Sequence, residues 1–236
     1  MVGIANTTSE RLLIGTLLTL TFVSGLIDAA SFIAMGHVFT ANMTGNVVFL
    51  AFAFAGVPGL SVVRSTVALA AALLGGVLAG HLDTRLTWKN RPVWLSIACV
   101  LEGLLVAAAT AVAWFGRDRL QSEITLCAII SLTGIAMGLR NGTVRRLGVP
   151  DLTTTVLTLT VAGLAFDSWL AGGKNIRWHI RLASICLMFA GATVGALILR
   201  RSLVLLLLLS TLLTVCCAVV QIFRDETAHE AKLNVR

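Results

Sequence analysis

Long apolar runs separated by short polar connections fill almost the whole chain. A helix needs about 20 mostly apolar residues to cross the hydrocarbon core of a bilayer. On that rule the pattern predicts eight apolar helical segments, over residues 12–36, 38–57, 63–82, 92–115, 122–139, 151–171, 180–199 and 202–223. The connections are too short for a water-soluble domain. One integral membrane domain is therefore expected over 1–236, with the first ten residues and the charged tail 224–236 exposed. The fold class is an all-α polytopic membrane protein.

The segments group into two sets of four, 12–115 and 122–223. Gly76, Gly80 and Arg85 in GVLAGHLDTR match Gly191, Gly195 and Arg200 in GATVGALILR without a gap. Both stretches carry G-x-x-x-G, where missing side chains let a second helix approach closely. Gly76, Gly80, Gly191 and Gly195 are accordingly expected at helix contacts. SGLIDAASFIAMG, from Ser24, resembles TGIAMGLRNGTVRRLG, from Thr133, with Gly25 on Gly138 and Asp28 on Asn141. FTANMTGN at 39–46 and DLTTTVLT at 151–158 are both polar openings of apolar segments. Three matches in the same order point to two four-segment pseudo-repeats.

Six or eight full crossings fit this pattern, depending on whether 38–57 and 151–171 cross or re-enter. Eight crossings divide the basic residues ten against eight between the two sides; six divide them thirteen against five, with Arg64, Arg117, Arg119, Arg200 and Arg201 as the minority. Short loops on the cytoplasmic side carry an excess of Lys and Arg, which favours six crossings and inverted halves.

Composition narrows the class. The chain is 57% hydrophobic and 12% charged, with a mean hydropathy of +0.93. Soluble domains carry about 25% charged residues. The net charge of +7 lies mainly in connections between apolar runs, so it speaks for membrane topology and against nucleic-acid binding. Pro58, Pro92 and Pro150 sit at the edges of apolar runs. Cys99, Cys127, Cys186, Cys216 and Cys217 lie inside them, without C-x-x-C spacing, and read as small apolar residues. The four scattered histidines offer no metal-ligand spacing. No metal or cofactor is expected, and the first segment, with Asp28 inside it, is too long for a cleavable signal.

The residues that carry chemistry are the polar ones inside this apolar background. A charge at the bilayer centre costs about 2.5–3.5 kcal/mol on insertion scales, so Asp28 is expected to face a cavity or a partner rather than lipid. Asn42, Thr44 and Asn46 suit irregular backbone around a polar cavity, because their side chains satisfy freed backbone groups and also offer donors and acceptors. Arg140, Asn141, Thr154 and Thr158 form a second such cluster, with Thr154 and Thr158 spaced for one helical face. The bland readings are a basic loop, an N-cap, and threonines bonded to their own helix. Asp167 and Glu102 are further acids, structural or functional on equal terms. The sequon Asn42-Met43-Thr44 lies in too apolar a setting for glycosylation.

The stretches GLIDAASFIAMGHVFTANMTGNVVFLA and LRNGTVRRLGVPDLTTTVLTLTVAGLA resemble the YoaK family, bacterial multi-pass membrane proteins with no assigned function. The resemblance covers nearly the whole chain. It implies a bacterial inner-membrane protein and supplies no substrate.

From the residues, a small-solute transporter or channel with a polar site between the repeats is the leading expectation. A structural or assembly protein, including a homo-oligomer, is the alternative, since glycine faces serve that as well. An enzyme ranks last: neither H-E-x-x-H nor G-x-S-x-G occurs. The expected partners are the lipid bilayer and an unidentified small polar or ionic solute.

Overall fold

The computed structural model of the chain describes residues 3–85, 91–120, 122–148, 154–155, 157–174 and 177–233, with side chains described from Glu10 to Phe223 within those limits, Arg91 and Pro92 excepted. Among the described residues there are eight α-helices: α1 Gly3–Ala34, α2 Met43–Phe54, α3 Val62–Arg85, α4 Arg91–Phe115, α5 Glu123–Leu147, α6 Thr158–Phe166, α7 Trp178–Leu199 and α8 Leu203–Leu233. Six of them, α1, α3, α4, α5, α7 and α8, are long and apolar enough to cross a membrane. The other two are short, with 12 residues in α2 and nine in α6. At about 1.5 Å per residue each spans roughly half of a 30 Å hydrocarbon core.

Named contacts fix the direction of each long helix. Gly25 of α1 meets Met188, Gly191 and Ala192 of α7, and Gly195 meets Leu26 and Ala29, so these helices run parallel. Gly134, Gly138 and Gly142 of α5 meet Ala71, Ala72 and Ala79 of α3 in ascending order, again parallel. Ion pairs mark both ends of that contact: Arg64–Glu123 at 2.6 Å and Arg146–Asp83 at 3.0 Å. By contrast α4 and α8 are antiparallel, with Thr110 bonded to Thr211 and Gly103 against Val215. So are α1 and α8, where Gln221 donates to Thr16 at 2.6 Å and Leu20 packs with Cys217. Helices α4 and α5 are antiparallel too, through Glu102–Arg140 and Gly116–Thr125.

These directions decide between six and eight crossings. If α2 and α6 crossed, α4 and α8 would run the same way. They do not, and the guanidinium of Arg64, at the start of α3, fills the space where a side chain at Gly36, just beyond α1, would sit. The chain therefore returns to the end it left, and α2 re-enters. Helices α1, α4 and α7 run one way and α3, α5 and α8 the other.

Two predicted boundaries moved for identifiable reasons. The fifth segment, expected to stop at 139, continues as helix to Leu147, because Arg140 and Thr143 are buried polar residues with partners inside the bundle. It stops where Gly148 adopts φ +59°, a left-handed geometry that glycine takes without steric cost. The eighth segment, expected to stop at 223, runs on as helix to Leu233. The exposure expected for the first residues and for the tail from 224 falls on side chains outside the described set, as does the expected opening of the sixth segment at Asp151.

The closest helix approaches are built from glycine and alanine. A Cβ on Gly191 would lie 2.1 Å from the Phe22 carbonyl oxygen, and one on Gly195 would lie 2.8 Å from the Ala29 Cβ. The contact expected at Gly76 and Gly80 is made one residue earlier. A Cβ on Gly75 would lie 2.2 Å from the Ile135 carbonyl oxygen, whereas Gly76 and Gly80 have nothing within 4 Å. One residue is a rotation of about 100° around a helix, enough to move a position from the interface to the outer face.

Candidate functional site

A buried polar hub joins three of the long helices. Arg140 on α5 and Glu102 on α4 are each 2% exposed. Their side chains pair through two bonds, Arg140 Nε to Glu102 Oε2 at 3.0 Å and Nη2 to Oε1. Arg140 Nη1 also donates to the Leu20 carbonyl and to Ser24 Oγ on α1, both at 2.7 Å. Ser24 in turn donates to the Leu20 carbonyl at 3.1 Å. An ion pair buried this deeply is tolerable only when further donors are satisfied, and the α1 carbonyl and hydroxyl take both Nη1 donors here. Through these bonds Arg140 links α5 to α4 and α1 as a brace between helices.

The connections into the two short helices dip into the bundle from opposite ends. The α1–α2 connection returns to Asp28, where Ala41 N donates to Oδ1 at 3.4 Å. Asp28 lies six residues inside the end of α1, about 9 Å along the axis. The α5–α6 connection returns to Asn141, where Thr155 Oγ1 donates to Oδ1. Asn141 likewise lies six residues inside the end of α5. Because α1 and α5 run in opposite directions, the two returns enter from opposite faces of the bundle.

Other residues hold these connections in place. Asn46 is fully buried and accepts from Phe39 N at 2.8 Å while donating to the Phe39 carbonyl. Non-helical backbone at membrane depth needs such partners, and Asn46 supplies both from one amide. Phe39 stacks on Phe32 and Phe49 at centroid distances of 5.3 and 5.7 Å. On the other side Arg181 of α7 binds the far end of α6, reaching the Gly163 carbonyl at 2.5 Å and Asp167 Oδ2 at 2.6 Å.

Two hydroxyls in the returns stand out. Thr40 Oγ1 and Thr154 Oγ1 belong to fully buried residues and have no hydrogen-bond partner among the described residues. Thr40 precedes the amide that meets Asp28, and Thr154 precedes the hydroxyl that meets Asn141. Thr154 also has φ +56°, a left-handed conformation uncommon for a β-branched residue.

The remaining sequence candidates lie differently from the expectation. Thr44 and Thr158 are exposed, at the first turns of α2 and α6. Thr154 lies before α6 begins, so it shares no helical face with Thr158; the buried threonine of α6 is Thr160. Asn42 is half-buried at the N-cap of α2 and makes no capping bond. The Asp28 carboxylate meets the return at Ala41 rather than at Thr44–Asn46. Sequence reasoning passed over Thr40 as a ligand and left Glu102 undecided. An opposite charge inside another apolar segment was the available signal for the Glu102–Arg140 pair.

Six membrane-length helices and a buried ionic hub, with two re-entering short helices, define a multi-pass α-helical membrane protein in contact with lipid. The chain belongs to the DUF1275 family of proteins of unknown function, whose model matches residues 16–220. It is similar to the UPF0700 transmembrane protein YoaK of Bacillus subtilis (strain 168), at 29% identity over 153 residues. That match spans 64% of this chain and 66% of the relative. No solved structure matches.

Proposed function

We propose that this chain is a small-solute transporter or channel of the bacterial inner membrane, built from two inverted repeats rather than working as an enzyme. The observation that carries this reading is the pair of returns, Ala41 to Asp28 and Thr155 to Asn141, at matching depth from opposite faces. Broken segments at membrane depth are tolerated where they are buried in protein or line a cavity. In transporters built from inverted repeats they form the solute site.

Helix packing supports the duplication. Exchanging the first four helices with the last four turns α1 on α7 into α5 on α3, and α4 on α5 into α8 on α1. The same exchange turns α2 on α3 into α6 on α7 and leaves α4 on α8 unchanged, and all of these contacts occur. Gly25 against Gly191 then corresponds to Gly138 against Gly75, and Ala29 against Gly195 to Gly142 against Ala79. The solute class that fits is small and polar or ionic: Thr40, Thr154, Asn141 and Asp28 offer hydroxyl, amide and carboxylate groups.

The test is reconstitution of the full chain in liposomes with a panel of small polar solutes, followed by swelling. A cysteine-free background with Thr40→Cys or Thr154→Cys is treated with a small water-soluble thiol reagent. Solute entry above empty liposomes, and its block by the reagent at both positions, are expected. No entry for any solute, with both thiols unreactive, sinks the proposal.

A second reading has one specific observation behind it. Gly76 and Gly80 lie on the outer face of α3 with open space before them, beside the exposed Leu73 and Val77. Small residues on a lipid-facing surface admit a second helix, so assembly with another copy is the competing role.

A further inference from the structure

We infer that Asp28, together with the Thr40 hydroxyl, forms a binding site for one exchangeable monovalent cation, a proton or an alkali metal ion. The inference deepens the transport reading and takes its biological meaning from it, but it rests on charge and geometry that can be tested without transport.

Among the described residues, the charged side chains Asp28, Glu102 and Arg140 are buried, the two acids within electrostatic reach of Arg140. Their formal charges sum to one negative. Arg140 lies within electrostatic range of Asp28, yet its bonds go to Glu102, Leu20 and Ser24. Asp28 receives one long hydrogen bond, from Ala41 N at 3.4 Å on Oδ1. The amino end of α2, two residues beyond Ala41, contributes about half a positive charge, and this leaves part of the carboxylate charge unopposed. A buried carboxylate in that position needs a cation or a proton.

Opposite residues 25–29, α7 presents Gly191, Ala192 and Gly195, which do not titrate. The thiols Cys99 of α4 and Cys217 of α8 lie near Glu102 and Arg140. The Thr40 hydroxyl, one residue along the chain from the amide on Asp28, is fully buried and has no hydrogen-bond partner among the described residues. A hydroxyl and a carboxylate together form a ligand pair suited to a hard monovalent cation, and a hydroxyl oxygen accepts a bond from a protonated carboxyl.

The corresponding return in the second half sets the stoichiometry. There the acceptor is Asn141, and its partner is the Thr155 hydroxyl. The amide carries no charge, so in place of the Asp28 carboxylate this return has a neutral acceptor, beside a threonine, Thr154, whose hydroxyl has no partner among the described residues. One cation per chain is the expectation.

The experiment uses the detergent-purified full chain. Thermal unfolding is followed by intrinsic tryptophan fluorescence from acid to alkaline pH, in choline, sodium or potassium chloride at matched ionic strength. The wild type is expected to respond saturably to pH, to sodium or potassium, or to both. A metal ion that shifts the pH midpoint competes with the proton for one site; a response to pH alone identifies the proton. Asp28→Asn keeps an acceptor for Ala41 N and should abolish the response. Thr40→Val keeps the carboxylate and should move the midpoint of metal-ion or proton binding, and it remains informative if Asp28→Asn does not fold. A wild type indifferent to pH and to both cations overturns the inference. So does an Asp28→Asn protein that responds as the wild type does, or an unmoved midpoint in Thr40→Val. Cation binding that survives while no solute enters liposomes sinks the transport reading and leaves this site standing.

Discussion

Arg140 and Glu102 show how a charge pair can be kept away from water. Each has what the other lacks, and Leu20 and Ser24 take the guanidinium donors left over. Removing one member strands a buried charge, at a typical cost of about 3–5 kcal/mol. Glu102→Ala or Arg140→Ala should therefore lower the unfolding temperature in detergent sharply. The double replacement Glu102→Met with Arg140→Met should recover most of the loss, because an apolar pair of similar volume has no stranded charge. A double variant as unstable as the worse single one would show that the hub does more than neutralise itself. Asn46 makes a similar argument with an amide. Asn46→Ala leaves both backbone groups of Phe39 without that partner, and an unsatisfied buried group costs about 1–3 kcal/mol. A drop in stability, with easier proteolysis between α1 and α2, is the expected outcome.

At the scale of the helix, the decisive feature is which small residue faces the neighbour. Gly75 touches the α5 backbone, while Gly76 faces open space. Gly75→Leu should prevent correct packing of α3 on α5, and Gly191→Leu should do the same for α7 on α1. Gly76→Leu should leave the monomer folded. Yield of monodisperse protein by size-exclusion chromatography separates these outcomes; equal losses at Gly75 and Gly76 would contradict the register. If Gly76→Leu instead converts a dimer into a monomer, the outer face of α3 is an assembly surface. The sequence pattern made G-x-x-x-G at 76 and 80 the attractive candidate, but the interface uses Gly75 with Ala79. A motif records spacing along one helix, and spacing is unchanged by rotation.

For the whole molecule the testable property is topology. Six crossings place both chain ends on one side, and that side holds the larger share of Lys and Arg. The positive-inside rule predicts that this side is the cytoplasm. Reporter fusions should report a cytoplasmic location after Leu147 and after Leu233, and the opposite side after Arg119 and after Arg201. A fusion after Phe54 should report the same side as one after Arg119, because α2 returns to the end it left. A cytoplasmic signal there would restore a full crossing and remove the re-entrant reading.

Bilayer residence and the number of apolar segments were legible from the chain, because each follows from hydrophobic length. Span length is set by the thickness of the lipid core, a property outside the protein, so a run of residues can be measured against it directly. Crossing number was legible only as an inclination, from basic residues counted in loops. What the tertiary structure decided was direction and partnership. Antiparallel packing of α4 and α8 excludes eight crossings, and no single segment carries that information. Arg140, which the sequence allowed as a loop residue, lies inside α5 and braces three helices because Glu102 and Leu20 arrive from helices 38 and 120 positions away. Thr44 and Thr158 turned outward and Thr40 turned inward because the returns leave helical geometry, so no helical period relates their side chains. Local pattern determines which residues need a partner in lipid; only the three-dimensional packing determines which partner each one finds.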